Sequence, residues 1–437
     1  MESTDLILYT AFPLLIMFLI LKHYFSRKKY LLPPSPAPAI PFIGHLHLLK
    51  QPIHRTFQRF SEIHGPIFSL KLGNRRAVVV SSPELVEECF GTANDVVFSN
   101  RPRFLVGEYL GYSHTTMFSV PYGARWRSLR RMDEIRKKLQ TLINRNREYH
   151  VKVELRPVLF ELIFNIITRM LAGERYGSDE KNSEASEKFQ ALTREAFECA
   201  ESSNPEDFFP FLSLIDCRGF KKKLGALNKK LDDFYEGLLE EHRREKRNTT
   251  IGNLLCLRES DPDFCTDQII KGFMTAMINA GTETSIVTLE WAMSLLLNHP
   301  QVLQKAKLEL DSQVGHQRLL EEQDLPNLPN LRNIIFETFR MFPPGPIPLP
   351  RESSADCKVG GYDVPCGSIL MINAWAIHSD PKVWDEPTRF KPERFEGRDV
   401  ETQMFLPFGM GRRAYPGAGL GQRMVGLVLG SLIQCFD

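Results

Sequence analysis

At 437 residues, 43% hydrophobic and 25% charged, the chain has enough apolar material for a large core, which excludes a disordered polymer. A formal net charge of +2 argues against nucleic acid as the main partner. The eight cysteines, at 89, 199, 217, 256, 265, 357, 366 and 435, form no CxxC pair, so they read as reduced thiols facing a cytosolic environment and exclude a disulfide framework.

Residues 6–21 carry no charge and fall slightly short of the ~20 residues that span a bilayer. Lys22 can snorkel, and Tyr24 and Phe25 can sit at the interface. A cleaved signal peptide is the competing reading. Against it, Glu2 and Asp5 stand where a basic region would be, and no small-residue cleavage site follows. Arg27, Lys28 and Lys29 come after the run, which puts the body of the protein in the cytosol by positive-inside logic. The expected organisation is a membrane anchor over 1–25, a basic, proline-rich hinge over 26–44 and one large body over 45–437. In the hinge, Pro33, Pro34, Pro36, Pro38 and Pro41 fix φ and favour a stiff spacer.

Residues 68–72 and 77–81 flank Gly73-Asn74-Arg75-Arg76, which predicts strand, turn and strand. Pro83 predicts a helix start, with the helix running to about Phe90. From there to Gly123 the chain reads as irregular. Trp126 and Arg130, four residues apart, share a helix face, as a surface stack does. Residues 144–257 read as mostly helical. Within them a strongly charged helix over 221–247 has the pattern of a solvated face.

Residues 269–298 predict a long helix, apolar nearly all round and therefore buried. In its middle stands Ala280-Gly281-Thr282-Glu283-Thr284-Ser285. Gly281 weakens the helix, and the threonine hydroxyls can bond the carbonyl of an earlier turn. Glu337 and Arg340, three apart, form a helical pair worth little by itself. A proline-rich bend over 343–350 leads to Arg351, and Pro392-Glu393-Arg394-Phe395 follows. The stretch from Phe408 to Gly417 holds Gly409, Gly411 and Gly417, which let the backbone bend sharply. Beside them Arg412 and Arg413 offer cations to an anion. An apolar helix is expected over 420–436.

The spacing of Phe408, Gly411, Arg413 and Gly417 resembles the haem-binding loop of cytochromes P450. The order of the 280–285 motif, Glu-x-x-Arg, Pro-Glu-Arg-Phe and this loop is also that family's order. On these motifs the chain is similar to a plant microsomal cytochrome P450, of the isoflavone 2'-hydroxylase and indole-glucosinolate hydroxylase type. An unrelated helical membrane protein would need four ordered motifs to be coincidence. The resemblance implies a mainly α fold with a small β-rich subdomain. It also implies an incomplete version of that fold, shortened after Arg131 and lacking the C-terminal sheet. The cofactor it implies is haem b, with NADPH supplying electrons through NADPH–cytochrome P450 reductase. The implied setting is the endoplasmic reticulum membrane, and the implied activity is insertion of one oxygen atom into a small lipophilic metabolite.

By the same resemblance, Gly281 opens a groove for dioxygen, Thr284 hydrogen-bonds the bound oxygen and Glu283 belongs to the proton path. A hydroxyl and a nearby carboxylate suit that relay. Trp126, Arg130, Arg351 and Arg413 are implied contacts of the haem propionates, and Phe408 and Gly417 belong to the haem-binding loop. Glu337, Arg340 and Arg394 are an implied buried triad behind the haem, which bidentate guanidinium–carboxylate geometry suits.

One position departs from the family. Two residues after Arg413 the family has a cysteine, whose thiolate ligates the iron; this chain has Tyr415. A thiolate favours O–O cleavage, and tyrosinate is the haem ligand of catalase. Reach separates the two: a cysteine sulfur lies roughly 2.8 Å from its Cα and a tyrosine oxygen roughly 6.5 Å. The phenol must also ionise from a reference pKa near ~10. An ejected phenol or a poorly held haem is therefore expected over a working Tyr415–iron bond. The competing class to the monooxygenase is a membrane-anchored, catalytically inactive pseudoenzyme.

Overall fold

A computed structural model describes residues 30–36, 38–116, 118–119, 154–173, 183–201, 204–209, 212, 219–245, 249–398 and 400–435. The uncharged run 6–21, the basic cluster 27–29, Trp126, Arg130 and the segment after Arg131 lie outside the described residues. Among the described residues, no helix is long and apolar enough to cross a membrane.

Helix α1 (Ile53–His64) precedes an antiparallel hairpin of β1 (Ile67–Leu72) and β2 (Arg75–Val80). Their register pairs Ile67 with Val80 and Leu72 with Arg75, leaving Gly73 and Asn74 as the whole turn. Gly73 takes φ +58°, and a left-handed glycine lets two residues reverse the chain. Arg75 and Arg76 therefore open β2, where the sequence suggests a longer turn containing them. Helix α2 (Pro83–Phe90) starts at its proline, with the Ser82 side chain accepting from Leu85 N. Two short helices, α3 (Asn94–Val97) and α4 (Leu105–Tyr109), interrupt the stretch expected to be irregular. Asp207 Oδ1 accepts from Leu105 N at 2.8 Å, a carboxylate cap supplied by a distant segment.

The helical body comprises α5 (Leu155–Ala172), α6 (Ser183–Glu201), α7 (Phe220–Glu245), α8 (Thr250–Ser260), α9 (Asp267–Asn298), α10 (Pro300–Gln313) and α11 (Pro329–Met341). On α7, Leu224, Leu227, Leu231, Tyr235 and Leu238 are buried at helical steps, which leaves the charges on the outer face. α9 is buried along most of its length and begins where Thr266 Oγ1 accepts from Ile269 N. Lys271 of α9, itself buried, lies 2.9 Å from Asp232 and 2.7 Å from Glu236, both on α7.

After α11 come β3 (Arg351–Glu352), β4 (Cys357–Val359), β5 (Tyr362–Val364), β6 (Ile369–Ile372), α12 (Ala374–His378) and α13 (Ala418–Cys435). One sheet has the order β1-β2-β6-β3. β6 runs parallel to β2, with Ala77 opposite Ile369, and antiparallel to β3. Both faces are covered: Val78, Val80 and Leu370 enter one apolar cluster, and Ala77, Val79 and Ile369 another, the period-two alternation of a strand. The main core gathers residues of α5, α9, α11 and α13. The fold is mainly α with a small β-rich subdomain, and β3 brings Arg351 to the loop before α13.

Candidate functional site

Glu337 and Arg340 of α11 are completely buried. Arg340 Nε and Nη2 donate to the two Glu337 carboxylate oxygens at 2.8 and 2.9 Å. Arg394 Nε donates to Glu337 Oε1 at 3.0 Å, and so does Lys391 N. The remaining Arg340 donors reach the carbonyls of His378 (2.7 Å) and Pro387 (2.8 Å). The structure thus joins Glu337, Arg340 and Arg394 in one cluster, with every oxygen of the acid engaged. His378 carries the cluster toward the loop: its Nε2 accepts from Leu406 N at 2.9 Å. Burial first, and the neighbouring Arg340 second, push the His378 pKa down to about 3, so the ring is neutral with its proton on Nδ1.

The loop after Leu406 turns on Gly409 (φ +68°) and Gly411 (φ +73°), conformations that disfavour any residue with a Cβ. A side chain at Gly411 would also place its Cβ 2.5 Å from Asp95 Oδ1. Asp95, on α3, is buried and anchors the loop, accepting from Arg412 N at 3.1 Å and lying 3.2 Å from Arg412 Nε. It is also 3.5 Å from Arg351 Nη1.

Arg351 stacks over Phe90 at 3.9 Å and donates to Met410 O. Arg413 Nε donates to Ser99 O at 2.8 Å, and Arg101 Nη1 to Pro350 O at 2.9 Å. Arg351 and Arg412 thus flank one carboxylate, and Arg101 lies within electrostatic reach of Arg351 and Arg413. Burial pushes the Arg351 pKa down to about 10, against the pull of Asp95. Burial, then Arg351 and Arg413, push that of Arg101 well below its ordinary value. Arg351 Nη1 and Arg101 Nε are sealed from solvent without a hydrogen-bond acceptor. Buried donors in a cluster short of negative charge are what a ligand with carboxylates would satisfy.

Tyr415 N donates to Phe408 O at 2.8 Å and closes the loop. The Tyr415 ring lies nearly parallel to those of Phe118 and Phe408, at 6.1 and 6.3 Å. Its Cε1 and hydroxyl are 2.8 and 3.1 Å from where a Cβ on Gly417 would be. The phenol is therefore folded back over Gly417, and Phe408 also meets Phe339 of α11 edge-on at 5.2 Å.

On α9, Thr284 Oγ1 donates to Ala280 O at 2.5 Å, Ser285 Oγ to Gly281 O and Thr288 Oγ1 to Thr284 O, both at 2.8 Å. Glu283 pairs with Arg156 of α5, which also reaches Glu290 at 2.6 Å. A Cβ on Gly281 would stand 2.8 Å from Ile167 Cδ1, so this glycine lets α5 and α9 approach closely. Thr282 is buried and its hydroxyl has no partner.

Three members of the site were missed in the sequence. Arg101 sits in Asn100-Arg101-Pro102-Arg103, where two arginines flanking a proline gave a faint basic signal. Asp95 and His378 carry no local signal, since their contacts at Arg412 and Leu406 are distant in sequence.

The sequence pattern of the cytochrome P450 family matches residues 33–437. Cytochrome P450 81Q32 of Catharanthus roseus is 50% identical, over 100% of this chain and 91% of the relative. A (+)-piperitol/(+)-sesamin synthase of Sesamum radiatum is 51% identical, over 93% and 84%. Isoflavone 2'-hydroxylase of Glycyrrhiza echinata is 45% identical, over 100% and 92%. A zebrafish cytochrome P450 solved with progesterone superposes with a TM-score of 0.74 at 26% identity, over 88% of this chain and 92% of that one.

Cytochromes P450 use haem b and receive electrons from NADPH through a reductase. The arginine cluster here fits the two acid groups of haem, because it presents buried cations with unsatisfied donors. The phenol of Tyr415, packed over Gly417, does not fit the place of an iron-ligating sulfur. The family pattern along nearly the whole chain, and half of all positions shared with a plant relative from end to end, lead to one conclusion: this chain belongs to the cytochrome P450 family.

Proposed function

We propose that this chain has the architecture of a monooxygenase for a small lipophilic plant metabolite, and that Tyr415 leaves it able to hold its cofactor but not to turn over. The substrate class rests on relatives such as the isoflavone 2'-hydroxylase. When bound, haem supplies the activation of dioxygen. Arg101, Arg351 and Arg413 would hold its acid groups, with Trp126 and Arg130 assigned to the same role by the family resemblance. Asp95 keeps Arg351 and the loop in position. Thr284 and Glu283 are the proton-handling groups, and Thr284 Oγ1 must turn from Ala280 O to present its proton elsewhere. Gly281 keeps the helix narrow beside them, and Phe408 and Gly417 shape the loop. Glu337, Arg340 and Arg394 brace the core behind it. Residues 1–25 anchor the protein in the endoplasmic reticulum membrane and 26–44 form the hinge, which leaves the body 45–437 in the cytosol beside its reductase.

The observation that carries the inactive reading is the Tyr415 ring, stacked with Phe118 and Phe408 and folded over Gly417. A neutral phenol gives none of the electron donation that a thiolate gives. The test is the absorption spectrum of the reduced, CO-bound full chain, together with reductase-supported hydroxylation. The expected result is no red-shifted thiolate-type band and turnover at the level of a haem-free control. A thiolate-type band from the unmodified chain, or turnover above that control, overturns the reading.

A further inference from the structure

A haem is held by its two carboxylates on cations, by its flat ring against apolar side chains, and by a bond from the protein to its iron. The cations here include Arg101 and Arg351. Among the described residues, the partners of the Arg101 guanidinium are carbonyl oxygens, with Nη1 donating to Pro350 O at 2.9 Å. Arg351 is 6% exposed, stacks over Phe90 at 3.9 Å and stands 3.5 Å from Asp95. Even with Asp95 assigned wholly to Arg351, Arg101 is left with carbonyl dipoles. Burial, then Arg351 and Arg413, push its pKa well below the ordinary value. A guanidinium stays protonated in proteins, so this cluster is relieved by taking up an acid rather than by losing a proton.

Apolar contact comes from the loop itself. The rings of Phe118 and Phe408 each lie within 13° of the Tyr415 plane, at 6.1 and 6.3 Å. Phe408 is seated edge-on against Phe339 of α11 at 5.2 Å. Met410 O, two residues beyond Phe408, accepts from Arg351, so aromatic surface and cation meet on one loop. That pairing complements a flat ring with an acidic edge. The iron bond is the contact this chain gives up. The Tyr415 phenol is committed to the stack and lies over Gly417, its hydroxyl 3.1 Å from where a Cβ would stand.

We propose that this site selects its ligand by carboxylates and ring rather than by iron, and so takes a metal-free porphyrin dicarboxylate as readily as haem. The proposal rests on the reading that the arginine cluster holds the acid groups of haem. A thiolate at position 415 would add an iron bond that a metal-free ring cannot make, and that bond is what separates the two ligands. With tyrosine there, both present the same groups to the same residues. The activity assigned is binding of dicarboxylate tetrapyrroles whether or not they carry a metal.

Protoporphyrin IX is titrated into the full chain in neutral detergent, its fluorescence is read against detergent alone, and ferric haem is then used to displace it. The two should compete for one site with equal affinity. Protoporphyrin IX dimethyl ester, which keeps the ring and loses both charges, should not bind. Arg101→Gln should weaken both dicarboxylates by the same factor, about tenfold, the scale of one hydrogen bond to a charged group. Tyr415→Cys should shift the preference toward haem. The parent titrations and the ester need no variant, so they decide the matter even if a substitution unfolds the chain. A parent preference for haem above about tenfold, or about 1.4 kcal/mol of iron bonding, overturns the proposal. Ester binding as tight as that of the free acid overturns it too, as does unchanged affinity in a folded Arg101→Gln. Haem binding with no binding of the metal-free ring defeats this inference alone. A chain that binds neither ring also defeats the reading that it holds its cofactor.

Discussion

Glu337→Ala should be among the most destabilising single substitutions in the body. It removes the acceptor of two Arg340 donors, of Arg394 Nε and of Lys391 N. Arg340, 1% exposed, keeps its carbonyl partners and its position 5.5 Å over Trp384, but loses its counter-charge. Breaking a buried pair costs about 3–5 kcal/mol, against a native stability of about 5–15 kcal/mol. At roughly 2–4 °C per kcal/mol for a large domain, the melting temperature should fall by roughly 6–20 °C. Thermal unfolding of the full chain in detergent, followed by circular dichroism, reads this directly. Arg340→Ala should show a loss of the same order. The double variant should cost clearly less than the sum, because each single variant strands the other partner of the pair and the double removes both. Single variants that melt with the parent, or strictly additive losses, refute the claim that these groups act as one buried unit.

Gly411→Ala should destabilise by about 1–3 kcal/mol, since it strains a φ of +73° and presses on Asp95; melting and haem content after gel filtration check it. Arg351→Gln should lower the haem retained per protein while the helical signal is kept, because it removes a cation that Asp95 only partly balances; unchanged haem content counts against the cradle. His378 should make the fold acid-sensitive. Its folded pKa is near 3, below the ordinary 6.5, so between these values the unfolded chain binds the extra proton. The contribution is fully present above about pH 6.5 and lost as pH falls toward 3. His378→Leu should flatten that part of the stability–pH curve at a constant cost from the lost bond to Leu406.

Elements whose signal is local were legible in the sequence. The helix at Pro83 begins at its proline as read, and the apolar stretch read as a helix to Asn298 is α9. Glu337 and Arg340 were readable as a pair from their spacing, and Arg394 entered through the ordered motifs. The cradle was less legible, because it is assembled by tertiary contact. Arg101 reaches the carbonyl of Pro350, 249 positions away, and it comes near Arg351 because the neighbouring Asn100 bridges Glu352 of β3. Asp95 is one acid on a four-residue helix, with nothing nearby to mark it as the anion beside Arg351 and Arg412. The β1–β2 turn was misjudged because the arginines after Gly73 looked like turn residues, whereas a left-handed glycine completes the reversal in two.

The loop separates backbone requirements from chemistry, and this fixes what Tyr415→Cys should do. Its shape rests on the left-handed glycines 409 and 411, on Asp95 and on the bond from Tyr415 N to Phe408 O. None of these uses the side chain at 415, so cysteine can occupy the position with the backbone unchanged. What the phenol adds is packing against Phe118 and Phe408, worth about 0.5–1.5 kcal/mol per ring pair beyond area burial. The cysteine variant should therefore melt slightly below the parent without haem and regain stability once haem binds, as any ligand of the native state produces. Its reduced, CO-bound spectrum should be of the thiolate type. A variant that folds and retains haem yet shows the parent's spectrum refutes the view that the backbone is already shaped for a sulfur ligand. A variant that fails to fold makes the phenol a structural member of the loop, and the independence of backbone and side chain argued for position 415 falls with it.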